Sequence, residues 1–204
     1  MGEQFRIACI VLAAGQSSRA GPENKLLKEI DGRPMILKVV DTVLETPARP
    51  VIVVTGHEAP RIDALVRETE ATTVRNRKYK HGMGTSIARG IDALPPDAHG
   101  TLVCLGDMPH VGAETIRRLI GAFDPHGGRE ICVPATGGRY GNPVLFGQRF
   151  FLALRTLDED RGGKSLVADN AGMVFEVEVG DEGIFVDDDG DDDGDAGGQP
   201  KETT

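Results

Sequence analysis

The residues with the clearest chemical potential lie in a loop after the first apolar run. From residue 10 the chain reads IVLAAGQSSRAGPENK. Small side chains allow phosphate oxygens to approach the backbone N–H groups of residues 14–18, and Arg19 and Lys25 can neutralise phosphate charge. This pattern predicts a cradle for a triphosphate. The alternative is a tight turn with two exposed cations.

A second candidate is Asp107, which follows the apolar run 102–105 in the sequence GDMP. Its position after a buried strand suits a Mg²⁺ ligand, because Mg²⁺ prefers one or two carboxylates together with phosphate oxygens and water. The alternative is an aspartate that caps a helix or closes a turn.

A third candidate is the basic, glycine-containing segment 76–86, which precedes a predicted helix. Helix N-termini favour anions, so this loop can hold a phosphate. The segment GTSIA at 84–88 is not a nucleophile elbow, because no buried strand precedes its serine. Residues 162–165 read GGKS, but Asp158 stands where a Walker A loop needs glycine. We therefore predict a plain loop there.

Apolar runs alternate with helical periodicity along the chain, which predicts βαβ units in an α/β fold with a mostly parallel sheet. Ligands of such sheets bind at the carboxyl ends of the strands, where the three candidates converge. Residues 137–146 predict an irregular insertion or an antiparallel edge. The predicted strands are 6–13, 51–54, 71–74, 101–105, 131–133, 144–146 and 174–179, and the predicted helices are 34–44, 59–68, 85–94, 113–123 and 148–157.

The charge of the chain is unevenly distributed. The net charge is −9, and residues 180–204 alone contain ten acidic residues and one lysine, so the body is balanced. A balanced body without tryptophan gives no basis for nucleic-acid binding. We predict one domain at 1–186 and an acidic tail at 187–204, largely disordered after about residue 192.

Location and redox state follow from the remaining composition. No apolar run is long enough for a membrane span, and residues 1–6 lack a signal-peptide pattern. We therefore expect a cytoplasmic protein with no membrane partner. Cys9, Cys104 and Cys132 each lie within an apolar run, which predicts buried thiols rather than disulfides.

Four motifs in this order resemble those of a known family. They are L-A-A-G-x-S-x-R-x-G with a following lysine, then G-M-x-x-S, G-D-M-P and G-x-P-V-L-F. The pattern spans about residues 7–190 and resembles the molybdenum cofactor nucleotidyltransferases of the MobA-like NTP transferase superfamily, in particular the cytidylyltransferase branch. The resemblance implies a Rossmann-like nucleotidyltransferase fold, with a mostly parallel sheet and helices on both faces.

The resemblance also implies roles for individual residues. Arg19 and Lys25 would hold the triphosphate, and Asp107 would bind Mg²⁺. The acidic end departs from the family pattern D-I-D-T-P-E-D, but Asp189 occupies the position of its second metal ligand. The implied nucleotide-binding residues are Leu12, Ala13, Ala14, Gly15, Thr55, Gly56, Asn76, Gly82 and Ser86, and the implied acceptor-binding residues are Gly141, Asn142 and Pro143.

By resemblance, the reaction is transfer of CMP from CTP to molybdopterin with release of pyrophosphate, with Mg²⁺ as cofactor. The Ala-Ala-Gly at 13–15 favours CTP over GTP. A molybdenum hydroxylase that receives the cofactor is the implied protein partner. Two alternatives stay open, namely another phosphorylated acceptor such as a sugar phosphate or phospholactate, and a non-catalytic molybdenum cofactor chaperone.

Overall fold

A computed structural model of the chain describes residues 5–16, 24–157 and 162–188. Strands and α-helices alternate along most of it. The strands are β1 (Ile7–Ala13), β2 (Glu29–Ile30), β3 (Arg33–Pro34), β4 (Val51–Thr55), β5 (Thr72–Arg75), β6 (Gly100–Leu105), β7 (Ile131–Thr136), β8 (Arg139–Tyr140), β9 (Val144–Gly147) and β10 (Val174–Glu178). The α-helices are α1 (Met35–Leu44), α2 (Ala59–Val66), α3 (Met83–Asp92), α4 (Ala113–Ala122), α5 (Phe151–Arg155) and α6 (Gly163–Asp169). Short 3₁₀ helices cover Lys25–Leu27, Tyr79–His81, Gln148–Phe150, Ala171–Met173 and Glu182–Phe185.

Eight of the described strands form one sheet in the order β10-β7-β9-β6-β1-β4-β5, with β8 added on β7. Strand β1 pairs in parallel with β4 and β6, and β5 and β10 also pair in parallel with their neighbours. Only β8 and β9 run antiparallel. The predicted mostly parallel α/β sheet is confirmed.

Both faces of the sheet are covered by helices, as predicted. Successive residues of β1 alternate between two apolar cores, with Cys9 and Val11 in one and Ile10 and Leu12 in the other. Helices α1, α2 and α4 close the first core, and α3, α5 and α6 close the second. Burial on both faces explains why β1, β4 and β6 are continuous apolar runs rather than alternating ones.

The segment from residue 137 to 147 contributes two antiparallel strands, β8 and β9, and β9 does not lie at an edge of the sheet. Strand β9 lies inside the sheet between β6 and β7, so the edge position predicted for this segment is wrong. Its residues are all buried, and pairing on both sides satisfies its backbone.

Two further elements differ from the sequence prediction. Lys164 and Ser165 lie in α6 rather than in a loop, because the carbonyl of Gly162 accepts hydrogen bonds from Ser165 N (3.1 Å) and Ser165 Oγ (2.9 Å) and starts the helix. The hairpin β2–β3 was not predicted. Its signal was present in the turn Asp31-Gly32, whose φ values of 54° and 75° suit a two-residue hairpin turn.

The three cysteines are free thiols in the core, as predicted. Burial raises the pKa of Cys132 to about 12 and also raises that of Cys9, whose Sγ lies 3.4 Å from Cys104 Sγ. The thiols of Cys9 and Cys132 therefore stay protonated at neutral pH. None of the described helices has the length and apolar character that a bilayer crossing requires.

Candidate active site

The carboxyl ends of three neighbouring strands lie close together, because the backbone approaches closely at two glycines. A Cβ on Gly106 would lie 2.7 Å from the carbonyl oxygen of Leu12, and a Cβ on Gly56 would lie 2.8 Å from that of Ala14. The amide of Gly106 also donates to Leu12 O at 3.0 Å. Glycine at both positions thus lets the ends of β1, β4 and β6 approach one another at the edge where ligands of such sheets bind.

The loop after β1 opens outwards from this junction. Leu12, Ala13 and Ala14 are buried, whereas Gly15 is exposed, and no atom of the described residues lies within 4 Å of the point where a Cβ on Gly15 would be. The backbone at Gly15 is therefore accessible to a ligand. Arg19, predicted to hold phosphate, lies outside the described residues.

Two of the predicted catalytic residues are in direct contact. Lys25 Nζ lies 2.7 Å from Asp107 Oδ2, and these side chains are only 12% and 26% exposed. Asn24 fixes the approach of the lysine, because its Oδ1 accepts from Leu26 N at 3.2 Å and caps the 3₁₀ helix Lys25–Leu27. The ion pair shows that residues far apart in the sequence share one site.

Asn76 organises the loop between β5 and α3. Its Nδ2 donates to Thr85 Oγ1 (2.9 Å) and Ser86 Oγ (3.0 Å), and its Oδ1 accepts from Lys78 N (2.8 Å). Asn76 is 4% exposed. Its side chain therefore holds the loop, and its predicted contact with a base or ribose stays a prediction.

The same loop presents the N-terminus of α3 to the site edge. Gly82 precedes this helix with φ 92°, a conformation that favours glycine. The cations of the loop are exposed, namely Arg75, Arg77, Lys78 and Lys80. At the N-terminus of α2, the pKa of Glu58 lies below its usual range, first because Arg61 donates a hydrogen bond to its carboxylate. We call the loop after β1, the end of β4 and residues 76–86 the nucleotide half.

The predicted acceptor-binding residues lie on the other side of Asp107. Asn142 N donates to Ile184 O at 3.0 Å, and a Cβ on Gly141 would lie 2.5 Å from Ile184 Cγ1. Asn142 and Pro143 line a small, largely apolar cleft of about 20 Å³ together with Leu105 and Met108. We call residues 107–112, 141–143 and 181–188 the acceptor half.

The described residues fit a divalent metal at this site when the phosphate oxygens of a substrate supply some of its ligands. The described residues contain no group of three or more potential His, Cys, Asp or Glu ligands. Mg²⁺ is held by one or two carboxylates when phosphate oxygens complete its shell, and Asp107 can supply one. Asp189, the second predicted ligand, lies outside the described residues, but the preceding residue donates its N–H to Asp107 O at 2.9 Å.

The segment 181–188 is the part of the site that sequence reasoning did not find as a positioning element. Asp181 accepts hydrogen bonds from Gly112 N and Thr115 Oγ1, more than 60 residues away. A local sequence pattern does not predict such contacts, because they form only when the chain returns across the sheet.

The family assignment follows from comparison with known proteins. The model of the MobA-like NTP transferase domain matches residues 9–174. The chain belongs to this family. The predicted membership of the MobA-like NTP transferase superfamily is thereby confirmed.

Solved structures of similar proteins agree with this family. Rv0371c from Mycobacterium tuberculosis H37Rv superposes with a TM-score of 0.75 at 27% identity, over 87% of this chain and 89% of that one. A nucleotidyl transferase from Methanothermobacter thermautotroptrophicus superposes with a TM-score of 0.73 at 25% identity, over 85% and 87% of the two chains. The MobA-like domain therefore has a fold shared with nucleotidyl transferases.

A curated relative is the bifunctional protein GlmU of Sphingopyxis alaskensis, which is 29% identical over 82% of this chain and 38% of its own length. The chain spans about a third of the length of the GlmU proteins that it matches. The narrower prediction of a molybdenum cofactor cytidylyltransferase stays a prediction.

Proposed function

We propose that this MobA-like domain transfers a nucleotidyl group from a nucleoside triphosphate to a phosphorylated acceptor and releases pyrophosphate. The observation that carries the proposal is the Lys25–Asp107 ion pair between the two halves of the site. A lysine at this position can neutralise phosphate charge, and the carboxylate can hold a divalent metal. A reaction that brings two anionic substrates together needs both. The name of the Methanothermobacter relative supports the same chemistry.

In the proposed reaction, an oxygen of the acceptor phosphate attacks the α-phosphorus. The bond between that phosphorus and the bridging oxygen breaks, and pyrophosphate leaves with the electron pair. A phosphate monoester has a second pKa of about 6, so it is largely a dianion at neutral pH and needs no general base. The rate is therefore expected to rise between about pH 5 and 7 as the acceptor ionises.

The protein contributes position and charge. Lys25 can exchange its contact with Asp107 for a contact with phosphate, and the N–H groups at the start of α3 and at Gly15 can bind further oxygens. Arg19 is proposed to add a second cation. Fixed charges at the leaving group stabilise the transition state, and single groups of this kind contribute about 3–4 kcal/mol.

We propose Mg²⁺ as the metal, held by Asp107 and Asp189 together with phosphate oxygens. Bound there, it would neutralise charge that develops on the phosphates. A manganese complex of Rv0371c supports a divalent metal in a protein of this fold.

For the substrates, we propose CTP and molybdopterin, on the sequence motifs given above. The product would then pass to a molybdenum hydroxylase, and we expect these steps in the cytoplasm. A sugar phosphate acceptor is the second candidate. It is supported by the printed name of a fold neighbour, a 4-diphosphocytidyl-2C-methyl-D-erythritol synthase from Anaerococcus prevotii, which is 16% identical with a TM-score of 0.70 and whose name describes a cytidyl group joined to a sugar alcohol through two phosphates.

The test measures pyrophosphate release from CTP, GTP, UTP and ATP with Mg²⁺, using molybdopterin and a panel of sugar phosphates as acceptors. We expect release that needs both substrates and is highest with CTP and molybdopterin. Highest release with a sugar phosphate would select the second candidate. If no triphosphate gives release with any acceptor while molybdopterin still binds, the protein is a chaperone and the proposed activity is wrong.

A further inference from the structure

Residues 181–188, which we call the strap, follow β10 and cross the site edge. The strap contains the 3₁₀ helix Glu182–Phe185 and contacts three separate parts of the acceptor half. It begins at the N-terminus of α4, continues over the acceptor loop 141–143 and ends at Asp107. One short segment thus contacts both ends of the loop between β6 and α4, and the acceptor loop as well.

Asp181 anchors the start of the strap. Its Oδ2 accepts from Gly112 N (2.9 Å) and Thr115 Oγ1 (2.6 Å), while its Oδ1 accepts from Gly183 N (2.9 Å). The carboxylate therefore caps the 3₁₀ helix of the strap and also satisfies donors at the beginning of α4. Negative charge at a helix N-terminus is favourable, which strengthens this attachment.

The middle of the strap is packed closely against the site loops. Ile184 is fully buried, and its carbonyl accepts from Asn142 N at 3.0 Å. Gly183 lies so close to the loop after β6 that a Cβ there would be 2.1 Å from His110 O. The strap therefore contacts the acceptor loop directly, in addition to the hydrogen bond from Gly141 N to Pro134 O (2.9 Å) that ties this loop to β7.

The end of the strap reaches the backbone of Asp107, the residue proposed to bind the metal. Asp188 N donates to the backbone carbonyl of Asp107 at 2.9 Å. Movement of the strap would thus be transmitted to both Asp107 and the acceptor loop, because the two are bound to the same eight residues.

We propose that Asp181 is a positioning residue that keeps Asp107 and the acceptor loop in one geometry for the two substrates. This inference rests on the proposed function for its catalytic part. Asp181 contacts no predicted substrate site itself. It acts through the strap, at a distance from the reacting groups.

The chemistry of Asp181 suggests an isosteric test. A carboxylate can accept all three hydrogen bonds, whereas an asparagine has one acceptor oxygen and an NH₂ group that would face a donor. Asp181→Asn therefore keeps the side-chain volume and disrupts the anchor. The matched control is Glu130→Gln, which removes another largely buried carboxylate, whose partner is Arg149 (3.1 Å). Glu130 directly precedes β7, so it lies at the amino end of this strand, away from the site at the carboxyl ends.

The first measurement is amide hydrogen exchange in the full chain. We expect Asp181→Asn to accelerate exchange of the Asn142 and Asp188 amides at least about tenfold, since both depend on the strap, and to leave the Lys78 amide of the nucleotide half unchanged. Glu130→Gln should leave all three rates unchanged. Wild-type exchange at Asn142 and Asp188 in Asp181→Asn would overturn the proposal.

The second measurement separates positioning from general destabilisation. We expect Asp181→Asn to weaken Mn²⁺ binding in the presence of CTP by about 10–100-fold and to lower kcat, with the KM for CTP unchanged. A rise in the KM for CTP in Asp181→Asn, alongside the fall in kcat, would overturn the positioning role. Equal effects of Glu130→Gln on Mn²⁺ binding and kcat would overturn it as well. If wild type releases no pyrophosphate with any substrate, the proposed function is wrong, and the exchange and Mn²⁺ results still decide the role of Asp181.

Discussion

The two halves of the site are held together by different kinds of contact. In the nucleotide half, the network of Asn76 joins residues that lie within ten positions of one another. In the acceptor half, Asp181 binds residues 66 and 69 positions away. The loop 76–86 of the nucleotide half is therefore organised by local sequence, whereas the acceptor half is organised by the return of the chain at the strap.

This difference predicts that the halves can be damaged separately. Changes in the nucleotide half should affect triphosphate binding, and changes in the acceptor half should affect acceptor use and metal binding. The ion pair between Lys25 and Asp107 is where the two halves meet, so substitutions there should have the largest effects.

Asp107→Asn should produce the largest loss. We expect turnover to fall by about 10²–10³-fold, because one fixed charge near the reacting phosphates is lost. Binding of CTP without metal should stay within about threefold of wild type, since the nucleotide half is intact. Pyrophosphate release and calorimetric CTP titration measure the two effects, and turnover close to wild type would show that Asp107 is no metal ligand.

Lys25→Met should also lower turnover, by about 10²-fold, through loss of charge at the leaving group. In the nucleotide-free protein it should raise Mn²⁺ affinity by about fivefold, equivalent to about 1 kcal/mol, because the lysine no longer competes for Asp107. Paramagnetic resonance of added Mn²⁺ measures this. Unchanged or weaker Mn²⁺ binding would mean that the ion pair does not compete with a metal.

Asn76→Ala tests the nucleotide half alone. We expect the free energy of unfolding to fall by about 2–3 kcal/mol, because buried hydrogen-bonding groups lose their partner, and the KM for CTP to rise. Asn170→Ala is the control, since Asn170 Nδ2 makes a single hydrogen bond to Leu166 O (2.8 Å) away from the site. Urea unfolding and steady-state kinetics suffice. If Asn76→Ala weakened Mn²⁺ binding more than CTP binding, the two halves could not be damaged separately.

Gly141→Ala tests the acceptor half alone and should have the smallest effect. The added Cβ would meet Ile184, so we expect a loss of about 1–3 kcal/mol in unfolding free energy and a higher KM for the acceptor. Gly121→Ala is the matched control, because nothing lies near its Cβ in α4 and alanine favours helix there by about 0.5–1 kcal/mol. Unchanged CTP affinity in Gly141→Ala is part of the expectation, and a loss of CTP affinity would contradict it.

The same division explains what the sequence could predict. Strands such as β1 and β4 are apolar runs buried on both faces, and their order along the chain predicts the parallel sheet. The loop after β1 and the GDMP segment were found because each is contiguous. By contrast, the interior position of β9 depends on pairing with β6 and β7, and the role of Asp181 depends on hydrogen bonds across more than 60 residues. Local patterns carry no information about such pairings.

The strap also determines when the two halves of the site can be completed during synthesis on the ribosome. Synthesis delivers residues in order, so the strands and loop of the nucleotide half are complete when residue 86 has been added. The acceptor half must wait for residue 188, whose amide reaches back to Asp107. The contact between Asp188 and Asp107 can therefore form only after the residues of the nucleotide half and more than 100 further residues have been synthesised, so the acceptor half is the later of the two to be completed.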